Sequence, residues 1–599
     1  MGATRPGILW WDVSGPPTVV AAPPADPGRT PDVAAPATET ETSAPTPGAG
    51  RGPWGTSPAV FWGSVAVVAA VSGLTIAFPE AAGDVIGRVQ SDVVSAFGWY
   101  YVALVAGFVA FAIWLGVGRW GDITLGRDDD EPEYPLLTWF AMLFATGMGI
   151  GLVFWGVAEP LSHFADPKPG VSGTPNDLAQ QAMAQTYLHW GLSAWAIYVV
   201  VGLAIAYSVH RRGRPVSIRW ALEPALGDRV RGRLGDVVDV TAVVGTVFGV
   251  ATSLGLGVLQ ITAGLDHVGI ASSSTTLQVV LIVAITAVAT LSVVSGLDRG
   301  LKWLSNTNVS LAGVLLVAVL VLGPTLFLLR EFVQSIGTYL SSVVPLMFNV
   351  SAYAGAEGEA WQASWTTFYW GWWISWSPFV GVFIARISRG RTVRQFVGGV
   401  LLVPTIVCFL WFSVLGGTAL HRQLFGDGGL VGPGGEVVPE NALFDVLAGL
   451  PGGAVLSVGA IVLVALFFIT SADSGALVVA MLSAGGDPQP RTPLRILWAA
   501  LGGVLAIALL VAGGLTALQT AAILIALPFS VVMIGLVVAT SRALHAEHTA
   551  FLRAERHQLR AEIDEQVSRR LHRHVDRRVD TRLEERLSRW RRQRGGAGD

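Results

Sequence analysis

Apolar blocks of about twenty residues recur along this chain and restrict its fold more than any other feature. At 1.5 Å per residue, a helix of that length crosses about 30 Å of hydrocarbon, where only helices and closed barrels satisfy their backbone polar groups. Of 599 residues, 52% are hydrophobic and 14% charged, against roughly 25% charged in soluble domains. The expected fold is an all-α polytopic membrane protein. Twelve spans are expected near 58–78, 97–118, 137–158, 183–208, 237–260, 276–295, 309–329, 364–387, 396–417, 453–482, 495–515 and 519–540.

Residues 1–55 are rich in Pro, Ala and Thr with no apolar period, which predicts a disordered tail. The first apolar block begins near Pro58, so no cleavable signal sequence is expected. Arginine clusters follow span 4 (Arg211, Arg212, Arg214, Arg219, Arg229, Arg231, Arg233), span 8 (Arg389, Arg391, Arg394) and span 12. The positive-inside rule therefore places both termini in the cytoplasm. The Asp128–Asp130 run after span 2 runs against this pattern, but acidic residues carry little weight in it. Residues 331–350 mix apolar and polar positions and suit a helix lying in the membrane interface. Cys408, the single cysteine, excludes an internal disulfide or a cysteine-based metal cluster. The Ala, Gly, Val and Arg bias suggests a GC-rich bacterial genome and hence a bacterial cell membrane.

Four tryptophans fall within seven residues of span 8, in F-Y-W-G-W-W-I-S-W-S-P-F from Phe368 to Phe379. Tyr369, Trp372, Trp373 and Trp376 follow i, i+3, i+4, i+7 and share a helix face. Such a face is either an aromatic packing stripe or a cage for a quaternary ammonium, held by cation–π attraction without a charged partner. Span 4 adds Trp190, Trp195 and Tyr198. Trp190 and Tyr198 lie about 80° apart on the wheel. His189, beside them, reads more readily as a satisfied core histidine than as a proton carrier.

Span 3 carries T-G-M-G-I-G-L, with Gly147, Gly149 and Gly151 alternating. The Gly147/Gly151 pair permits close helix approach, whereas three glycines permit unwinding that frees carbonyls for an ion and backbone for a substrate. In span 10, F-F-I-T-S-A-D-S-G places Thr470 and Ser471 side by side. They either bond back to the preceding turn or complete a Na⁺ shell. Asp473 is expected to face the bundle interior as a structural or gating partner, since lipid exposure is costly. No span carries H-E-x-x-H or G-x-S-x-G, which argues against an intramembrane enzyme, and none has the repeated polar lining of a channel.

G-M-G-I-G-L, V-A-E-P (Val157 to Pro160), the span-8 run with I-A-R-I-S-R-G-R (Ile384 to Arg391), and T-S-A-D-S-G resemble the betaine/carnitine/choline transporter family over about residues 58–541. The resemblance implies two peripheral spans and a 5+5 inverted-repeat core like that of the neurotransmitter:sodium symporters, with repeats at about 137–330 and 364–540 in a transporter domain of residues 56–542. It implies a substrate box of Trp190, Trp195, Tyr198, Trp372, Trp373 and Trp376 beside Gly147, Met148, Gly149 and Gly151. A sodium site is implied at Ala145, Met148, Phe467, Thr470 and Ser471. A second, involving Thr246 and Phe379, has Val250 where a hydroxyl is expected. Gly151 stands where choline-type members resemble G-M-G-I-D, which favours a zwitterion such as glycine betaine. The expected activity is Na⁺-coupled import by a homotrimer, without cofactor or nucleic-acid partner; a choline or carnitine carrier, H⁺-coupled or exchanging without an ion, is the alternative.

The tail, residues 543–599, is Arg-rich and helix-prone. Leu559, Ile563, Val567, Leu571, Val575, Val579, Leu583 and Leu587 recur every fourth residue. That spacing winds the stripe about 40° per step, unlike a simple coiled coil. Arg569, Arg570, Arg573, Arg577 and Arg578 form a basic patch, either a solvated face or a regulatory contact with anionic headgroups.

Overall fold

A computed structural model describes residues 56–147, 149–295 and 298–595; the expected N-terminal tail, residues 1–55, lies outside them. Helices account for the architecture: α1 (Pro58–Ala77), α2 (Pro79–Val117), α3 (Leu136–Gly147), α4 (Ile150–Ala165), α5 (Pro175–Trp190) and α6 (Leu192–Ala206). Two short helices, α7 (Ile218–Ala221) and α8 (Glu223–Leu226), precede α9 (Arg233–His267), α10 (Thr275–Ser295), α11 (Asp298–Leu322), α12 (Thr325–Met347) and α13 (Gly355–Gln362). The chain continues through α14 (Phe368–Arg386), α15 (Val393–Phe425), α16 (Pro439–Ala448), α17 (Gly453–Ser483) and α18 (Thr492–Gly595).

Among the described residues, nine helices are long and apolar enough to cross a membrane. The remaining three expected spans escape that criterion for physical reasons. Span 3 is broken at its glycines into α3 and α4, span 8 (α14) carries tryptophan in place of aliphatic residues, and spans 11 and 12 are fused in α18. Gly513 and Gly514 leave helical geometry inside α18 and divide it; Gly514, at φ 58°, occupies the left-handed region that glycine tolerates.

Two expected boundaries shift. Span 7 does not reach residue 329: α11 stops at Leu322, because Gly323 and Pro324 interrupt the ladder. Residues 325–329 instead open α12, the expected interface helix, which rests on α5 and α15. Its buried face carries Leu328, Ser335 and Tyr339, while Leu326, Val333, Leu340 and Val344 are exposed. At the other end, α18 runs from the last expected span to Gly595 without a break at residue 543. Its base is tied down by Glu547, which pairs with Arg211 at 2.5 Å and accepts from the Tyr207 hydroxyl at 2.9 Å.

The interior is built around α14, which packs on α6, α9 and α18. Gly371 makes this possible: a Cβ there would lie 2.8 Å from the Ile523 Cα, so α14 and α18 touch backbone to backbone. Helix α4 packs on α5 and α15, bringing the span-3 break beside the tryptophan-bearing helices.

Candidate functional site

Helix α3 ends at Gly147 and α4 starts at Ile150, with Gly149 extended (φ −144°, ψ −177°). The alternating glycines thus coincide with an interruption between the two helices. A second interruption, which the sequence reading missed, separates α5 from α6 at Gly191 and sets Trp190 and Trp195 on different helical segments. A π turn over Ala363–Thr367 leads into α14.

The aromatic residues of spans 4 and 8 meet at these breaks. Trp372 and Trp373 stack at 4.6 Å and 15°; Trp190 meets Trp373 edge-on at 4.9 Å and 71°, and Trp372 at 6.2 Å and 85°. Tyr198 closes another side, 6.3 Å from Trp373. Gly151 lies under this group: a Cβ there would come within 2.4 Å of Trp372 Cη2 and 3.2 Å of Trp190 Cη2. Gly149 faces Trp376, whose Cη2 would lie 3.6 Å from an added Cβ. The two other members are peripheral, with Trp195 behind Tyr198 at 5.4 Å and Trp376 one turn on, against Phe379 at 5.1 Å. All six rings are buried. The Nε1 atoms of Trp372 and Trp376 have no hydrogen-bond partner among the described residues. Met148 lies outside the described residues, as do the side chains of Ala145 and Gly147.

A buried carboxyl group stands behind the cage: Glu159 on α4 accepts from Trp190 Nε1 at 2.6 Å and from the Tyr369 hydroxyl. Its other oxygen lies 2.6 Å from His189 Nδ1 and 3.4 Å from His163 Nε2. His189 Nε2 is 3.0 Å from both Gln185 Nε2 and Thr366 Oγ1, so His189 is a satisfied core histidine, as expected. The sequence did hold a signal for Glu159, a carboxylate within an apolar span. Its V-A-E-P segment served the sequence reading only as a signature.

Of the expected sodium ligands, Thr470 Oγ1 bonds back to the Leu466 and Phe467 carbonyls at 3.0 and 3.1 Å and accepts from Asn308 Nδ2 at 3.0 Å. Asn308, on α11, escaped the sequence reading. Phe467 is buried and Ser471 half-buried beside Thr470. Thr246 Oγ1 is likewise turned back, to the Ala242 carbonyl at 2.7 Å. Val250 faces α17, where a Cβ on Gly475 would meet its Cγ2 at 2.9 Å. Asp473 is buried in an ion pair with Arg495 at 3.2 Å, a structural partner as expected. The five tail arginines are exposed, and Arg569 pairs with Glu565.

A bundle of apolar helices with broken segments converging on a buried aromatic cluster is the organisation of a multi-pass membrane transport protein. The chain belongs to the betaine/carnitine/choline transporter family, whose model (BCCT, betaine/carnitine/choline family transporter) matches residues 59–549. It is 51% identical over 499 residues to an uncharacterized transporter of Mycobacterium tuberculosis, covering 82% of this chain and 83% of that one. The glycine betaine transporter OpuD of Bacillus subtilis is 44% identical over 498 residues, covering 83% and 96%. The ectoine/glycine betaine/proline transporter EctP of Corynebacterium glutamicum is 39% identical over 508 residues, covering 84% and 82%.

Proposed function

We propose that this protein is a Na⁺-coupled symporter that imports glycine betaine as a compatible solute across a bacterial cell membrane. The observation that carries the reading is the convergence of Trp190, Tyr198, Trp372 and Trp373 on the glycine break at Gly149–Gly151. A trimethylammonium group cannot be hydrogen-bonded, and ring faces are its best partners. The carboxylate of the same molecule suits the start of α4, where unpaired N–H groups and the helix dipole favour negative charge. The names of the relatives OpuD and EctP, both of which include glycine betaine, support this substrate.

The proposed architecture is twelve spans, two peripheral and ten in two inverted repeats, with both termini cytoplasmic and three copies per assembly. The irregular first span of each proposed repeat supports it: α3–α4 is broken and a π turn leads into α14. Na⁺ is proposed to bind at Ala145, Met148, Phe467, Thr470 and Ser471, while the arginine-rich tail contacts anionic lipid. Uptake of radiolabelled betaine into proteoliposomes, with and without an inward Na⁺ gradient, tests the proposal. Accumulation that follows the gradient is expected. Gradient-independent uptake would favour exchange or H⁺ coupling, and choline or carnitine uptake without betaine uptake would refute the substrate.

A further inference from the structure

The substrate box is anchored on a buried carboxyl group. Glu159 is fully buried, one helix over from the tryptophans, and receives hydrogen bonds from two helices at once: Trp190 Nε1 on α5 and the Tyr369 hydroxyl on α14. Trp190 Nε1 can only donate, so the oxygen it meets acts as an acceptor. Where the Gln185 amide donates to His189 Nε2, the His189 proton sits on Nδ1 and is given to the other Glu159 oxygen, 2.6 Å away. In that tautomer three donors converge on one carboxyl group, an arrangement suited to the charged form.

We infer that Glu159 is a positioning and specificity-determining residue for the aromatic box: it fixes the plane of Trp190 and supplies the negative charge that selects a cationic head group. This rests on the proposed betaine site. The physical route has two parts. The Trp190 ring stands edge-on to Trp372 and Trp373 at 85° and 71°, and its rotation about χ2 is blocked while Nε1 is held at 2.6 Å. A carboxylate on the indole N–H also polarises the ring, raising electron density on the face that meets the cation. In a water-poor interior a unit charge across the width of one indole still acts on an ammonium. Tyr369, bonded to the same oxygen and 5.8 Å from Trp373, ties α14 to the same anchor.

The test compares two ligands of the same shape on the full-length protein in nanodiscs by calorimetry: glycine betaine, and 3,3-dimethylbutanoate, in which carbon replaces the ammonium nitrogen. Wild type is expected to prefer betaine. In Glu159→Gln this preference is expected to fall by about tenfold, with affinity for the carbon analogue held within about threefold, because the lost element is charge rather than shape. A merely structural role would weaken both ligands together and leave the ratio unchanged, which would overturn the inference while leaving the betaine reading intact. Glu159→Asp, which keeps the charge, is expected to keep the ratio within about threefold of wild type. Where only that variant is stable, loss of the preference overturns the inference. A wild type that binds no betaine would overturn the proposed function and this inference together.

Discussion

Replacing Trp373 separates the cage from the packing stripe. Trp373 is buried, stacks on Trp372 at 4.6 Å, meets Trp190 edge-on at 4.9 Å, and donates from Nε1 to the His189 carbonyl at 2.9 Å. Trp373→Phe removes the hydrogen bond and part of the ring but keeps a π face. Trp373→Leu removes the face as well. Both lose about 1 kcal/mol with the hydrogen bond and a further cavity term of a few kcal/mol, so both are expected to lower the unfolding temperature by similar amounts. Binding should separate them. A desolvated cation–π contact is worth about 2 kcal/mol, which converts to about a 30-fold loss of betaine affinity in Trp373→Leu; Trp373→Phe should stay within about fivefold of wild type. Titration of purified protein followed by calorimetry, alongside a thermal shift for each variant, gives both quantities. Equal losses of affinity in the two variants, tracking their losses of stability, would refute the cage and leave Trp373 as packing.

Thr470→Ala combined with Ser471→Ala removes two of the proposed oxygen ligands and is expected to abolish Na⁺-dependent betaine uptake; an unchanged sodium activation curve would place the ion elsewhere. Gly151→Asp is expected to lower betaine uptake at least about tenfold and shift competition toward choline, because its carboxylate repels that of betaine. It must also displace Trp372, whose Cη2 lies 2.4 Å from the Cβ position. Gly151→Ala isolates that steric part, and competition without any gain for choline would refute the charge argument. Burial holds Lys168, in the loop after α4, down at about 8, below the ordinary lysine value of about 10.4. The folded protein therefore binds fewer protons than the unfolded chain between those values and gains stability as pH rises through that window. Any thermal-shift advantage of Lys168→Met at pH 7 should shrink by pH 10, and a constant difference would refute the assignment. Deleting residues from about Glu555 should preserve transport but flatten any dependence on osmolality, since internal salt shortens screening from about 8 Å toward about 3 Å and would weaken the proposed arginine–lipid contacts. An unchanged profile in anionic liposomes would leave the tail without that role.

The features legible in the sequence were those written in consecutive residues. The alternating glycines gave the helix break because each glycine costs a helix about 1 kcal/mol relative to alanine, and the span-8 tryptophans gave a face because helical period maps order onto direction. Gly513–Gly514 fell within a few residues of the boundary expected between spans 11 and 12. What escaped depends on partners far apart in the chain. Glu159 and Tyr369 are separated by 210 positions and Asn308 and Thr470 by 162, so no local pattern pairs them. The Gly191 break escaped because a single glycine in an apolar run is ordinary in membrane helices.

The buried carboxyl group of Glu159 alters how the box is understood. Aromatic rings hold a neutral guest of the right size by burial and favour a cationic one by cation–π attraction of about 2 kcal/mol. Further discrimination needs an element that a neutral guest leaves unsatisfied. In the proposed site the Gly149–Gly151 backbone would supply one at the carboxylate end, and Glu159 the other through Trp190. The same carboxylate joins α4, α5 and α14, so the segments that carry the glycine break, Trp190 and Trp372–Trp373 share one anchor. A movement that opened the box by separating those helices would strand a charge in an apolar interior, at a cost of several kcal/mol. Opening by shifting the three together against α9 and α17 would leave every one of these bonds intact. The polar network thus favours a mechanism in which α4, α5 and α14 move as a unit.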